Sequence, residues 1–268
     1  MQAALASSPA PDDPCSTKRW LFVFSVGGRT GSTTLMGMLN AVPQIKLTGE
    51  NKDLYSRLYE LEQDTLALGG GDRARDEFDA WHNAPDPVRL QAAVCSWLLA
   101  LSPHPGALVH GFKEIRTPAA PLLARTMPHA RFVINFRLDL AAQQRSFERL
   151  GGQKTLAEAT KGNVSSWRKP IPFVLDDLQR LRAALGGRPV FELPLERYGV
   201  TGFNALLRWV GARGCEYTRV LQANTNKTAG FSSAKAQAPG LLRGRCNLTA
   251  ATWDASLGER LAPEWRGR

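Results

Sequence analysis

The chain has 268 residues, 43% hydrophobic and 22% charged, a composition that can bury a core and excludes intrinsic disorder. Lys and Arg number 34 against 24 for Asp and Glu, a net charge of +10 that draws polyanions: nucleic acid, an acidic membrane, or a charged nucleotide with an acidic acceptor. The basic residues are scattered in ones and twos, which speaks against a nucleic-acid arm, and no apolar stretch approaches the ~18 residues that span a bilayer.

Residues 1–18, rich in Ala, Ser and Pro at their start, read as a flexible tail without the charged n-region of a signal peptide. The rest, 19–268, reads as one domain. Trp20-Leu-Phe-Val-Phe-Ser-Val26 is a nearly continuous apolar run, the pattern of a strand buried on both faces of a parallel sheet. Gly27-Gly28 breaks it. A helix then runs from Thr30 on the stripe Leu35, Met38, Leu39, Val42, and Pro43 ends it. Helices follow over Asp53–Leu68 and Pro87–Leu101, separated by Gly69-Gly70-Gly71. Strands are expected over Ala107–Ile115, Arg131–Phe136 and Val190–Leu193, with helices over Pro118–Met127, over Asp139–Leu150, around Val174–Leu185 and around Phe203–Val210. After Cys215 the chain reads as a loop-rich extension. Strands alternating with helices imply α/β architecture with a mostly parallel sheet, and a ligand at the carboxyl ends of its strands.

The sharpest signal is Val26-Gly27-Gly28-Arg29-Thr30-Gly31-Ser32-Thr33-Thr34-Leu35, set between a strand and a helix. Glycines allow the tight turn that points several N–H groups at one anion, and the helix N-terminus adds partial positive charge. Arg29 supplies a fixed cation; Ser32, Thr33 and Thr34 supply hydroxyls. An NTP-hydrolysing loop would place Gly-Lys-Ser/Thr at the helix start, and here Gly31 is followed directly by Ser32 with no Lys in the turn.

This segment resembles the 5′-phosphosulfate loop of sulfotransferases that use 3′-phosphoadenosine-5′-phosphosulfate (PAPS), in which Lys or Arg, any residue, then Gly-Ser/Thr-Ser/Thr opens the helix. Gly28 to Ile45 is similar to the membrane-bound tyrosylprotein and glycan branches. The resemblance implies a P-loop NTPase-like three-layer α/β sandwich and assigns the 5′-phosphosulfate to Gly28, Arg29, Thr30, Gly31, Ser32, Thr33 and Thr34. A second likeness lies at Ile134–Ser146, where the family's 3′-phosphate signature runs from a strand end through Arg-Asp to a Ser seven residues after the Asp. Asp139 and Ser146 keep that spacing, but the Arg is Arg137 and Leu138 stands in the usual place. Arg137 and Ser146 are the implied clamp, with Arg145 as the alternative cation.

Transfer to a hydroxyl needs a base. Glu50 falls, without gaps from Arg29, on the catalytic Glu of the tyrosylprotein pattern and ranks first; Glu114, at the end of the second predicted strand, ranks second. Lys113 is placed beside the transferring sulfuryl group, and His110 in the core. The implied partners are PAPS and a hydroxyl-bearing or acidic acceptor, glycan or peptide, with no nucleic acid and no metal. Two other readings stand: a P-loop kinase or NTPase without its Lys, and a non-catalytic anion binder.

The cysteines Cys15, Cys95, Cys215 and Cys246 lack zinc-ligand spacing. Any bond is expected first between Cys215 and Cys246. Sequons at Asn163, Asn226 and Asn247 favour a secretory lumen such as the Golgi, while the missing signal and anchor leave the cytoplasm open.

Overall fold

A computed structural model describes residues 15, 18–50, 54–68, 86–101, 104, 106–151, 171–221 and 240–256. Five strands form the central sheet: β1 (Arg19–Ser25), β2 (Ile45–Thr48), β3 (Val109–Glu114), β4 (Arg131–Phe136) and β5 (Val190–Pro194). Their order is β2-β3-β1-β4-β5 and every pairing is parallel. The helices are α1 (Ser32–Asn40), α2 (Leu54–Leu68), α3 (Pro87–Leu101), α4 (Ala120–Thr126), α5 (Leu140–Gly151), α6 (Ile171–Ala184), α7 (Val200–Trp209) and α8 (Ala250–Ala255).

The continuous apolar runs have the cause expected of them. In β1, Trp20, Phe22 and Phe24 face one core with Phe112, Phe132 and Ile134, under residues of α3, α4 and α6. Leu21 and Val23 face the other with Val133, Phe191 and Leu193, under α1 and α7. A strand covered on both sides has no polar face, so it loses the alternation of a half-exposed strand. The result is the three-layer α/β sandwich that the sequence implied. Gly111 is demanded by close approach: a Cβ there would meet the Leu21 carbonyl oxygen at 1.7 Å.

Three expectations change in detail. The helix after the glycines starts at Ser32 and not at Thr30, because Gly31 sits at its N-cap in a left-handed conformation (φ 76°). Strand β2 was not read; its four residues follow directly on the Pro43 turn, too short for a pattern. Around and after Cys215 the described residues include strands and a helix that the sequence did not suggest. β6 (Arg213–Tyr217) and β7 (Leu242–Asn247) pair antiparallel, and α8 begins at a capping box between Thr249 and Thr252.

Disulfides join Cys15 to Cys95 and Cys215 to Cys246. Cys15, within the expected tail, is fully buried. The buried Arg131, at the start of β4, ties down α8: Nη1 donates to Ser256 Oγ at 2.8 Å and to the Trp209 carbonyl, Nη2 donates to the Trp253 carbonyl, and the guanidinium lies 4.0 Å from the Trp253 ring centroid. Burial pushes its pKa down to about 10. Three acceptors and an aromatic face substitute here for a buried carboxylate.

Candidate active site

Every residue assigned to the site and described here lies at or beyond the carboxyl edge of β1 to β4, or on the helix that follows. At the end of β1 the backbone enters the left-handed region at Gly27 (φ 70°), Gly28 (φ 67°) and Arg29 (φ 53°), and again at Gly31. Arg29 is the single non-glycine with positive φ among the described residues. At Gly31 a Cβ would come within 2.6 Å of Leu195 Cδ1 and 2.9 Å of the Tyr198 ring, so both φ and space require glycine there. The first-turn N–H groups of α1 have no intrahelical acceptor; no acidic residue lies in that turn and no side chain caps it. The positive end of the helix dipole therefore stands without an anion supplied by the helix itself.

The hydroxyls divide. Thr30 is fully buried, meeting Ser25 Oγ at 2.6 Å and donating to Asn135 Oδ1 at 2.5 Å, while Asn135 Nδ2 donates to the Leu193 carbonyl at 3.0 Å. The Thr30 hydroxyl thus braces the loop against β4 and β5 and faces the interior. Ser32 and Thr34 are mostly buried at the helix start, and Thr33 is half-buried.

The Arg137–Ser146 region meets the loop at the end of β1. Arg29 Nε donates to Ser146 Oγ at 3.1 Å. Burial, and then the neighbouring Arg137 charge, hold the Arg29 pKa below its ordinary value. Arg137, Arg145, Ala142 and Ser146 line a cavity of about 300 Å³. Arg137 is held at the end of β4: its Nε lies 3.7 Å from Glu196 and its Nη1 donates to the Ala142 carbonyl at 3.3 Å. Glu196 in turn accepts the N–H groups of Leu138 (2.9 Å) and Asp139 (3.2 Å). Burial alone would raise the Glu196 carboxyl, but these N–H groups and Arg137 hold it below the usual range. Asp139 accepts from Ala142 N at 2.7 Å and so caps α5; Arg145 stands 3.8 Å from it.

The two candidate bases lie apart in a decisive way. Lys113 is in register with Val23 and so points to the α1 side of the sheet, the side of Ser25 and Asn135. Its ammonium, 5% exposed, pairs with Glu50, which is 43% exposed beyond β2. Glu114 is in register with Phe24 and faces the opposite core. It is 2% exposed, accepts Ile115 N at 2.8 Å, and leaves Oε2 buried without a partner. Burial pushes its carboxyl up; the N–H groups of Ile115 and Arg116 offset part of this, Glu50 adds to the rise and Lys113 opposes it.

That environment gives an expected result. A carboxyl whose folded pKa is raised holds its proton more tightly when folded, so the unfolded chain binds fewer protons and stability falls as pH climbs through the unfolded pKa toward the folded one. Glu114→Gln keeps the oxygen that accepts Ile115 N–H and removes the ionisation. It should raise the urea midpoint at pH 7, with the gain shrinking toward the unfolded carboxyl pKa of ~4.3. A lower midpoint at pH 7 would mean that the buried carboxylate is favourably held.

His110 is 6% exposed beside Trp20, its ring centroid 6.0 Å away, as a core histidine would be. The sequons at Asn163 and Asn226 lie outside the described residues. Arg243 pairs with Glu216 across β6 and β7. Among the described residues no group of three His, Cys, Asp or Glu could hold a metal ion, and no helix is long and apolar enough to cross a membrane. Asn135 and Gln143 were not read from the sequence; the signal for Asn135 was an amide inside an otherwise apolar strand.

No individual curated protein matches the chain. The model of the sulfotransferase family matches residues 21–198, which takes in most of β1, the glycine-rich loop after it, strands β2 to β5, the turn that packs on Gly31, and both basic regions. On that match, spanning most of the chain, the protein belongs to the sulfotransferase family and is a transferase of sulfuryl groups.

Proposed function

We propose that the protein transfers the sulfuryl group of PAPS to a hydroxyl of a glycan or peptide acceptor. The observation that carries this reading is the Arg29–Ser146 hydrogen bond of 3.1 Å, which joins the loop at the end of β1 to the Arg137–Arg145 cavity. A donor with a 5′-phosphosulfate and a separate 3′-phosphate needs two adjoining cationic subsites of this kind. ATP chemistry has no use for the second.

In this reading the N-terminus of α1 and Arg29 receive the 5′-phosphosulfate, with the hydroxyls of Ser32, Thr33 and Thr34 at the helix start. Arg137 and Ser146, with Arg145, take the 3′-phosphate by charge-assisted bonds. Glu50 accepts the acceptor's hydroxyl proton as that oxygen bonds to sulfur, and the bond from sulfur to the bridging phosphate oxygen breaks. Negative charge then collects on the leaving phosphate, where Arg29 and the helix dipole lower its energy. Lys113 sits against the base, on the loop's side of the sheet, and is the cation assigned to the sulfuryl oxygens in this reading. Glu50 is preferred to Glu114 because an acceptor can reach a half-exposed carboxylate and not a buried one on the far face.

The net charge of +10 supports an acidic acceptor. Two disulfides and the exposed sequon residue Asn247 support a secretory lumen, Golgi among them.

Calorimetric titration with adenosine 3′,5′-bisphosphate (PAP), 5′-AMP and ATP tests the donor. Each charge-assisted bond to the 3′-phosphate contributes roughly 1.5–3 kcal/mol, so PAP should bind at least about tenfold more tightly than 5′-AMP. Equal affinities would remove the 3′-subsite, and Mg²⁺-dependent ATP binding would replace the reading with a kinase or NTPase.

A further inference from the structure

We propose that Gln143 is a positioning residue: it holds the phosphate loop in its anion-receiving shape and makes that loop and α5 one unit. This rests on the reading of the loop as the 5′-anion subsite. Gln143 lies on α5, is 3% exposed, and falls inside the Ile134–Ser146 stretch without being one of the residues given a role there. Its Nε2 donates to the carbonyls of Val26 (3.2 Å) and Gly28 (2.6 Å). Both amide hydrogens are thereby used on the two carbonyls that flank Gly27. The fit behind the loop is close, since a Cβ on Gly27 would stand 3.0 Å from Nε2 and 2.9 Å from Val174 Cγ2.

The consequence follows from peptide geometry. In a trans peptide the C=O and the next N–H point in opposite directions, and no described peptide is cis. Drawing the Val26 and Gly28 carbonyls toward α5 therefore turns the N–H groups of Gly27 and Arg29 to the other side of the backbone. A buried acceptor is left over on Gln143, because Oε1 has no hydrogen-bond partner. Rotating the amide to satisfy it would set Oε1 against two carbonyl oxygens, so the orientation is determined by the loop. One turn along the same face of α5, Ser146 accepts Arg29 Nε at 3.1 Å. The helix that carries the second anion subsite thus grips the first at two successive points.

The test compares Gln143→Met, similar in length and without donors, with Gln143→Glu, the same shape with a carboxyl. Inorganic sulfate and PAP binding are measured by calorimetry, and KM for PAPS against kcat by steady-state kinetics. Both variants should lose about tenfold in sulfate and PAP affinity and show the loss mainly in KM. Gln143→Glu should recover part of its affinity between pH 7.5 and pH 5.5, because a protonated carboxyl donates one bond to a loop carbonyl; Gln143→Met should not. A packing role alone would give two variants with the same pH profile. Folded Gln143→Met that binds sulfate and PAP like the wild type overturns the proposal.

Should the variants fail to fold, hydrogen exchange on the wild type decides. Sulfate should slow exchange in residues 26–31 and 143–146 together, and slowing of the loop alone overturns the coupling. Wild type that binds sulfate without preferring PAP to 5′-AMP would defeat the donor reading, while the sulfate arm still judges Gln143. Wild type that binds neither anion overturns both.

Discussion

Glu50→Gln should lose about 10²–10⁴-fold in sulfuryl transfer, the usual cost of removing a positioned base, while PAP affinity stays nearly unchanged. The amide keeps the size of the side chain and cannot accept the acceptor's proton. On the proposed reading PAP is held by the loop and the Arg137–Ser146 region, which Glu50 does not touch in any described contact. One side effect is expected. Lys113, 5% exposed, loses its carboxylate partner, and a buried charge without one costs stability. Unfolding of the variant must therefore be followed beside its kinetics. Glu114→Gln is the control and should turn over normally. If Glu114→Gln is the dead variant, the base lies on the other face of β3. Full activity in both with a cognate acceptor would mean that no carboxylate base operates.

Arg29 should answer differently to its two simplest replacements. On the proposed reading Arg29 meets the donor both before and during transfer, so in Arg29→Ala affinity for PAP and turnover should fall together. With roughly 1.5–3 kcal/mol per charge-assisted bond, the binding loss is about ten- to hundredfold. The contribution to the leaving phosphate adds about 10² or more in kcat. Arg29→Gly should be as inactive and yet more stable than Arg29→Ala. At φ 53° a side chain occupies the left-handed region at a cost of about 1–2 kcal/mol that glycine does not incur, part of which returns as glycine's greater freedom when unfolded. Urea unfolding of the two variants measures the difference. If Arg29→Gly is not the more stable, the left-handed turn carries no strain; if either variant binds PAP like the wild type, Arg29 is not a donor ligand.

The strand β1 was legible because burial on both faces writes a run of apolar residues into the chain, whereas β3, with His110, Lys113 and Glu114, and β5, with a part-exposed Glu192, carry that pattern only in part. β2 escaped because four residues after a Pro turn show no period. β6 and β7 escaped because Arg213-Gly-Cys-Glu-Tyr217 and Leu242-Arg-Gly-Arg-Cys-Asn247 are strands by pairing and by a disulfide, not by hydrophobic pattern. At the site, the loop was visible as glycines beside hydroxyls. Its braces were not: Thr30 reaches Asn135 across 105 positions and Gln143 reaches Gly28 across 115, contacts that exist only once β1 and β4 are neighbours. The division between Glu50 and Glu114 was likewise invisible. It depends on which face of β3 each neighbours, and that is a matter of register.

The two disulfides also determine what a severed chain would remain attached to. One bond closes a ring from Cys15 to Cys95, the other from Cys215 to Cys246, and no covalent link joins the rings except the main chain between them. A single cut between Leu68 and Pro87, or between Leu221 and Gly240, leaves both ends held in one molecule; on a gel without reductant the protein runs as one piece. A cut between Gly151 and Ile171 divides it, with the loop after β1, Glu50, Lys113, Gln143 and Ser146 on one fragment and α6, β5 and the second ring on the other. Comparing limited digests with and without reductant therefore locates a nick by topology alone, and separates a protein broken into two from one that is merely opened.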